Sequence, residues 1–123
     1  TLHNTLFPYT TLFRSTFKAL SDPNRIRIIK MLQVKPLCVC EITEVLGLAT
    51  STVSKHLSIL RDAGFIADEK DGKWVNYRIE EREWNRYSAE ILPLMEGWFN
   101  EDDQIRSDRE KLAAVDRFVI CSG

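Results

Sequence analysis

The sequence predicts a mainly α chain that carries one β-hairpin, an α+β fold. Three observations predict it. Apolar residues recur at helical spacing in several stretches divided by glycine or proline. Two of those stretches meet across residues 47–49, a connection that leaves room only for a tight helix–helix turn. Farther on, two strand-like runs flank Asp71-Gly72, a strong short hairpin signal.

The elements follow in order. Residues 5–15 read TLFPYTTLFRS, which matches the in-frame translation of a common short-read sequencing adaptor. Residues 1–15 are therefore expected to be a non-native leader and are set aside; the alternative is a native amphipathic helix. On the first reading, residues 16–20 are what remains of the native first helix. Asp22-Pro23 then starts a helix, because Asp caps and Pro suits the first helical position. Ile26, Ile29, Met31 and Leu32 carry that helix to about residue 33, and Lys35-Pro36 breaks it. A short helix over residues 39–46 presents Ile42, Val45 and Leu46, and Gly47 ends it. The next helix, residues 50–63, buries Val53, Leu57 and Leu60 and stops at Gly64. Residues 65–70 and 73–79 form the hairpin. Trp74, Asn76 and Arg78 share one face of its second strand, and Val75, Tyr77 and Ile79 the other. A helix is expected over residues 81–99, kinked or divided by Pro93, and a polar one over residues 101–118. Two helices joined by a tight turn and followed by a hairpin make a winged helix-turn-helix, here with helical dimerisation elements at both ends. Residues 16–99 are read as the DNA-binding and dimerisation domain, and residues 100–123 as a C-terminal helix or tail.

The chain has 123 residues, which suits one domain. Its apolar content of 44% and charged content of 28% exclude a disordered chain, and no apolar run approaches the roughly 18 residues of a membrane span. With no secretory signal, a cytoplasmic location and no membrane partner are expected. The net charge of −1 says little, but its distribution says more. Residues 14–61 hold eight Lys/Arg against three Asp/Glu; residues 80–116 hold eleven Asp/Glu against five Lys/Arg. One basic half that faces phosphate and one acidic half that turns away fit a DNA-binding protein.

A helix that enters the major groove needs small or hydrogen-bonding side chains at its N-terminal end. Thr50, Ser51, Thr52, Ser54 and Lys55 supply them, opposite the Val53/Leu57/Leu60 stripe. Lys55 and Arg61 are candidates for phosphate, and Lys70 and Lys73 flank the wing tip. His56, flanked by Leu57 and Val53, is read as a packed or hydrogen-bonded histidine rather than a base contact or ligand. Candidate pairing residues are Phe17, Tyr87, Ile91, Leu94, Met95 and Trp98, although the same stripe also reads as core.

Three cysteines, Cys38, Cys40 and Cys121, argue against a disulfide framework and leave soft ligands available in a reducing cytosol. Cys38 and Cys40 stand two residues apart, about 200° around a regular helix, so one small ion bound by both sulfurs deforms the turn that leads into the helix-turn-helix. The alternative is a pair of small buried apolar residues. No Ser-His-Asp set, carboxylate cleft or Gly-rich phosphate loop suggests an enzyme, and no permanently bound cofactor is expected.

The stretches FKALSDPNRIRIIKML, PLCVCEITEVLGL, STVSKHLSILRDAGF and DGKWVNYRI together resemble the ArsR family of metal- and metalloid-responsive repressors. The match runs from Phe17 to Ile79. The resemblance implies a winged-helix homodimer on an imperfect inverted repeat in double-stranded operator DNA, released when an inducer binds. The Leu-Cys-Val-Cys string looks like the family's metalloid site, which places As(III), Sb(III) or a soft divalent metal on Cys38 and Cys40. One common pattern adds a third cysteine where this chain has Thr43, so Cys121 or a small cellular thiol is the further candidate. The usual Ser- or Asn-type cap of the recognition helix falls on Ala49, which leaves Thr50 to cap. Within the same fold, the alternative is a repressor that senses thiol oxidation, or cadmium or lead rather than arsenic.

Overall fold

A computed structural model describes residues 8–115, with side chains from Thr10 onward. Within them the chain forms α1 (Pro8–Ala19), α2 (Pro23–Val34), β1 (Leu37–Cys38), α3 (Val39–Leu46), α4 (Thr50–Asp62), β2 (Ile66–Asp71), β3 (Trp74–Ile79), α5 (Arg86–Met95) and α6 (Asp103–Ala114). The three strands make one antiparallel sheet in the order β1-β3-β2. None of the described helices is long and apolar enough to cross a membrane.

Local chemistry sets the helix ends. Asp22 caps α2 by accepting from the Asn24 amide at 2.8 Å, with Pro23 at the first helical position. Gly47 closes α3 at φ 70°, and its amide bonds to the Thr43 carbonyl at 2.9 Å. Ala49 holds the N-cap position of α4 without a side-chain bond, and Thr50 is the first helical residue. Thr50 therefore does not cap: its backbone is already helical, and a capping side chain must sit one residue earlier.

Val53, Leu57 and Leu60 are fully buried with Ile28, Ile29, Leu37, Ile42 and Phe65, and each such side chain contributes about 2 kcal/mol. α6 packs onto the same body through Leu112, and Ile105 and Asp108 are buried beside it.

Four expectations shift. The hairpin turn lies at Gly72-Lys73 rather than Asp71-Gly72, because Asp71 still pairs with Trp74. Gly72, at φ 62°, supplies the one left-handed residue that such a turn needs at its first position. β1 is a strand the sequence reading left out. α5 starts at Arg86, not residue 81, because Asn85 caps it by accepting from the Tyr87 amide at 3.1 Å. It ends at Met95, two residues past Pro93, so Trp98 lies beyond it.

Candidate nucleic-acid interface and thiol site

The face of α4 opposite its buried stripe is polar and open. Thr50, Ser51, Thr52, Ser54 and Lys55 are all exposed at its N-terminal end. Arg61 is exposed too, but about 15 Å farther along the helix. Its Nη1 donates to Asp68 Oδ2 at 3.1 Å, and its Nε lies 3.6 Å from Asp62. The Asp68 hydrogen bond raises the Arg61 pKa further above its ordinary value. Arg61 thus fastens the end of α4 to β2, which ties this helix to the hairpin. Lys70 and Lys73 are exposed near the wing tip, with the Lys73 ammonium 5.2 Å from the Trp74 ring centroid. They stand among Asp68, Glu69 and Asp71, so the wing is mixed in charge rather than uniformly basic.

His56 turns inward and is 9% exposed. Its Nδ1 lies 3.1 Å from Arg25 Nη1. A guanidinium can only donate, so His56 Nδ1 is the accepting atom of this contact. Arg25 carries no local signal of this contact, because its partner lies 31 residues away.

Cys38 and Cys40 stand at the entrance to the helix-turn-helix. Cys38 is 2% exposed and is the N-cap of α3, with extended backbone at φ −87° and ψ 166°. It is also the last residue of β1, paired with Asn76 of β3. Its amide donates to Glu41 Oε1 at 2.9 Å. Glu41, 5% exposed, was missed as part of the site, although its place three residues after the cap is the capping-box spacing. Cys40 lies in the first turn of α3 and is half-buried. Cys38 therefore lies outside the helix, and the angle between two helical positions does not describe the pair. What holds Cys38 is its sheet partner and its cap.

Cys40 is disulfide-bonded, against the expectation that its thiol stays available, and Cys38 is not its partner. Cys121 lies outside the described residues. Thr43, at the third-cysteine position, keeps a buried Oγ1 without a hydrogen-bond partner. Among the described residues, no three His, Cys, Asp or Glu side chains are grouped to hold a metal ion.

Of the residues read as a pairing surface, Phe17, Leu94 and Trp98 are exposed, at 47%, 56% and 45%. Tyr87 and Ile91 are half-buried, and Phe13 packs edge-on against Tyr87 with ring centroids 5.3 Å apart. Met95 is 1% exposed and belongs to the protomer's own core. It sits one residue beyond exposed Leu94, about 100° around the helix, which turns it inward.

Residues 22–68 match the family model described as bacterial regulatory protein, arsR family. The arsenical resistance operon repressor of Escherichia coli K12 is 33% identical over 111 residues, covering 87% of this chain and 86% of that protein. The chain belongs to the ArsR family of bacterial regulatory proteins. Among other ArsR relatives, the cadmium resistance transcriptional regulatory protein CadC of Listeria innocua is 37% identical over 90 residues, covering 72% of this chain and 70% of that one. The fold is shared with the homodimeric winged helix-turn-helix DNA-binding domain of Mb0332 from Mycobacterium bovis. That structure has a TM-score of 0.60 and 23% identity, and the match covers 71% of this chain and 77% of that one. An ArsR winged helix accounts for the open polar face of α4 and the hairpin beside it.

Proposed function

We propose that this ArsR-family chain is a homodimeric repressor that grips an inverted-repeat operator through α4 and lets go when trivalent arsenic or antimony binds Cys38 and Cys40. Cys121 or a small cellular thiol supplies a third sulfur. The observation that carries the reading is the double placement of Cys38, at once the cap of α3 and the partner of Asn76 in β3. Thiolate sulfur is a soft ligand suited to these ions. An ion that draws the Cys38 sulfur toward Cys40 pulls on the helix-turn-helix and the wing strand together. A tenfold loss of operator affinity needs about 1.4 kcal/mol of such coupling. The names of the relatives support a metalloid or soft-metal inducer. The exposed Phe17, Leu94 and Trp98 support a pairing surface.

The test is an operator-binding titration of fully reduced protein with arsenite, antimonite, cadmium and zinc in turn, beside a Cys38→Ser/Cys40→Ser variant. Release by arsenite or antimonite that the variant lacks, with its operator binding intact, supports the reading. Release by arsenite from the double variant defeats it. A monomer in sedimentation at micromolar concentration defeats the dimer.

A second reading within the fold is a sensor of thiol oxidation, favoured by the disulfide at Cys40. Thiolate-to-metal absorbance during the titration separates the two: it rises with metal binding and is absent from an oxidation switch.

A further inference from the structure

We propose that Arg25 is a positioning residue for DNA reading, which it serves by latching the reading helix through His56. The inference rests on the reading that α4 recognises operator DNA.

Arg25 is 8% exposed, and its guanidinium joins three helices. Its Nε donates to the Ala19 carbonyl at 2.8 Å and its Nη2 to the Lys18 carbonyl at 3.2 Å, both at the end of α1. Its Nη1 lies 3.1 Å from His56 Nδ1 on α4 and 4.0 Å from Asp22 Oδ2, the cap of α2. The two bonds to α1 fix the plane of the guanidinium, so the direction of the bond to His56 is fixed too.

That direction matters because, apart from the exposed Arg61–Asp68 bond at its far end, α4 is anchored by apolar side chains. Val53, Leu57 and Leu60 anchor the helix by burial, which is non-directional and tolerates a small roll about the helix axis. A hydrogen bond weakens steeply off-axis and does not tolerate the roll. His56 lies one turn beyond Thr52 and next to Lys55, so a latch at His56 sets the roll of the groove-facing side chains themselves.

The test uses full-length reduced protein without inducer and two labelled duplexes. One carries the sequence that the wild type enriches from a random pool; the other has mixed sequence. His56→Leu is expected to weaken the enriched duplex about tenfold while mixed-sequence binding stays within about twofold. His56→Asn, whose amide oxygen can accept from Arg25, is expected to recover most of the loss. Unchanged selectivity in His56→Leu overturns the latch, as does an equal loss on both duplexes that His56→Asn fails to recover. If the wild type enriches no sequence, the operator reading falls and takes this proposal with it.

Discussion

Arg27 and Asp108 form a two-bond ion pair across 81 residues of sequence, with Nε and Nη2 each donating at 2.9 Å to one oxygen of a carboxylate that is 2% exposed. The pair bolts α6 to α2. It raises the Arg27 pKa through the Asp108 hydrogen bond. Removing one partner strands the other in a buried site, which costs about 3 kcal/mol. Asp108→Ala should lower urea-unfolding stability by about that amount and loosen α6 first in hydrogen exchange. A change below 0.5 kcal/mol or so would mean that water replaces the pair freely.

Gly64 turns the chain out of α4 at φ 82°. An added Cβ would stand 2.8 Å from Ser88 Oγ, 3.0 Å from Asn85 Cβ and 3.1 Å from Trp84 Cζ2. Both the backbone and the space resist a side chain. Gly64→Ala is expected to destabilise by about 2 kcal/mol, read as a lower midpoint in chemical denaturation.

The open end of α4 predicts a division of labour. Lys55→Ala should weaken binding to all duplexes alike and reduce the slope of log affinity against log salt by about 1. Ser51→Ala should leave that slope alone and change the ranking of sequences. Anisotropy titrations over a salt series check both. A salt slope unchanged in Lys55→Ala would remove Lys55 from the phosphate contacts.

Glu80 accepts from the Arg82 amide, Nε and Nη2 at 3.0 to 3.1 Å, and these hydrogen bonds hold its carboxyl below the usual carboxylate range. A carboxyl depressed in the folded state adds stability that is present above the ordinary value and lost as pH falls through the folded one. Thermal melts across the acid range should therefore show a shallower fall for Glu80→Gln than for wild type. Equal slopes would count against Glu80 as a source of acid sensitivity.

Much of this was legible along the chain because the signals are local. Asp22-Pro23, Gly47 and the Val53/Leu57/Leu60 stripe each act over a few residues and marked their elements closely. β1 was not legible: Leu37 and Cys38 look like the approach to a helix, and only pairing with Tyr77 and Asn76 makes them a strand. The start of α5 was legible in principle, since Asn85 is a good cap, but the apolar spacing drew the helix too far upstream. At the site, the Cys38/Cys40 pair was visible, but what surrounds it was not. Glu41 was hidden behind a cysteine at a position usually held by serine or threonine. The Arg25–His56 and Arg27–Asp108 contacts exist only once distant helices meet.

β2 forms an outer edge of the sheet, bonded to β3 alone, and its last four residues read Asp68-Glu69-Lys70-Asp71. Unpaired strand edges invite neighbouring chains to add on, and closely spaced charges discourage it. These side chains therefore discourage the hairpin from zipping onto another molecule's hairpin. Neutralising that border would trade a well-behaved solution for clumping before any change in the interior was felt.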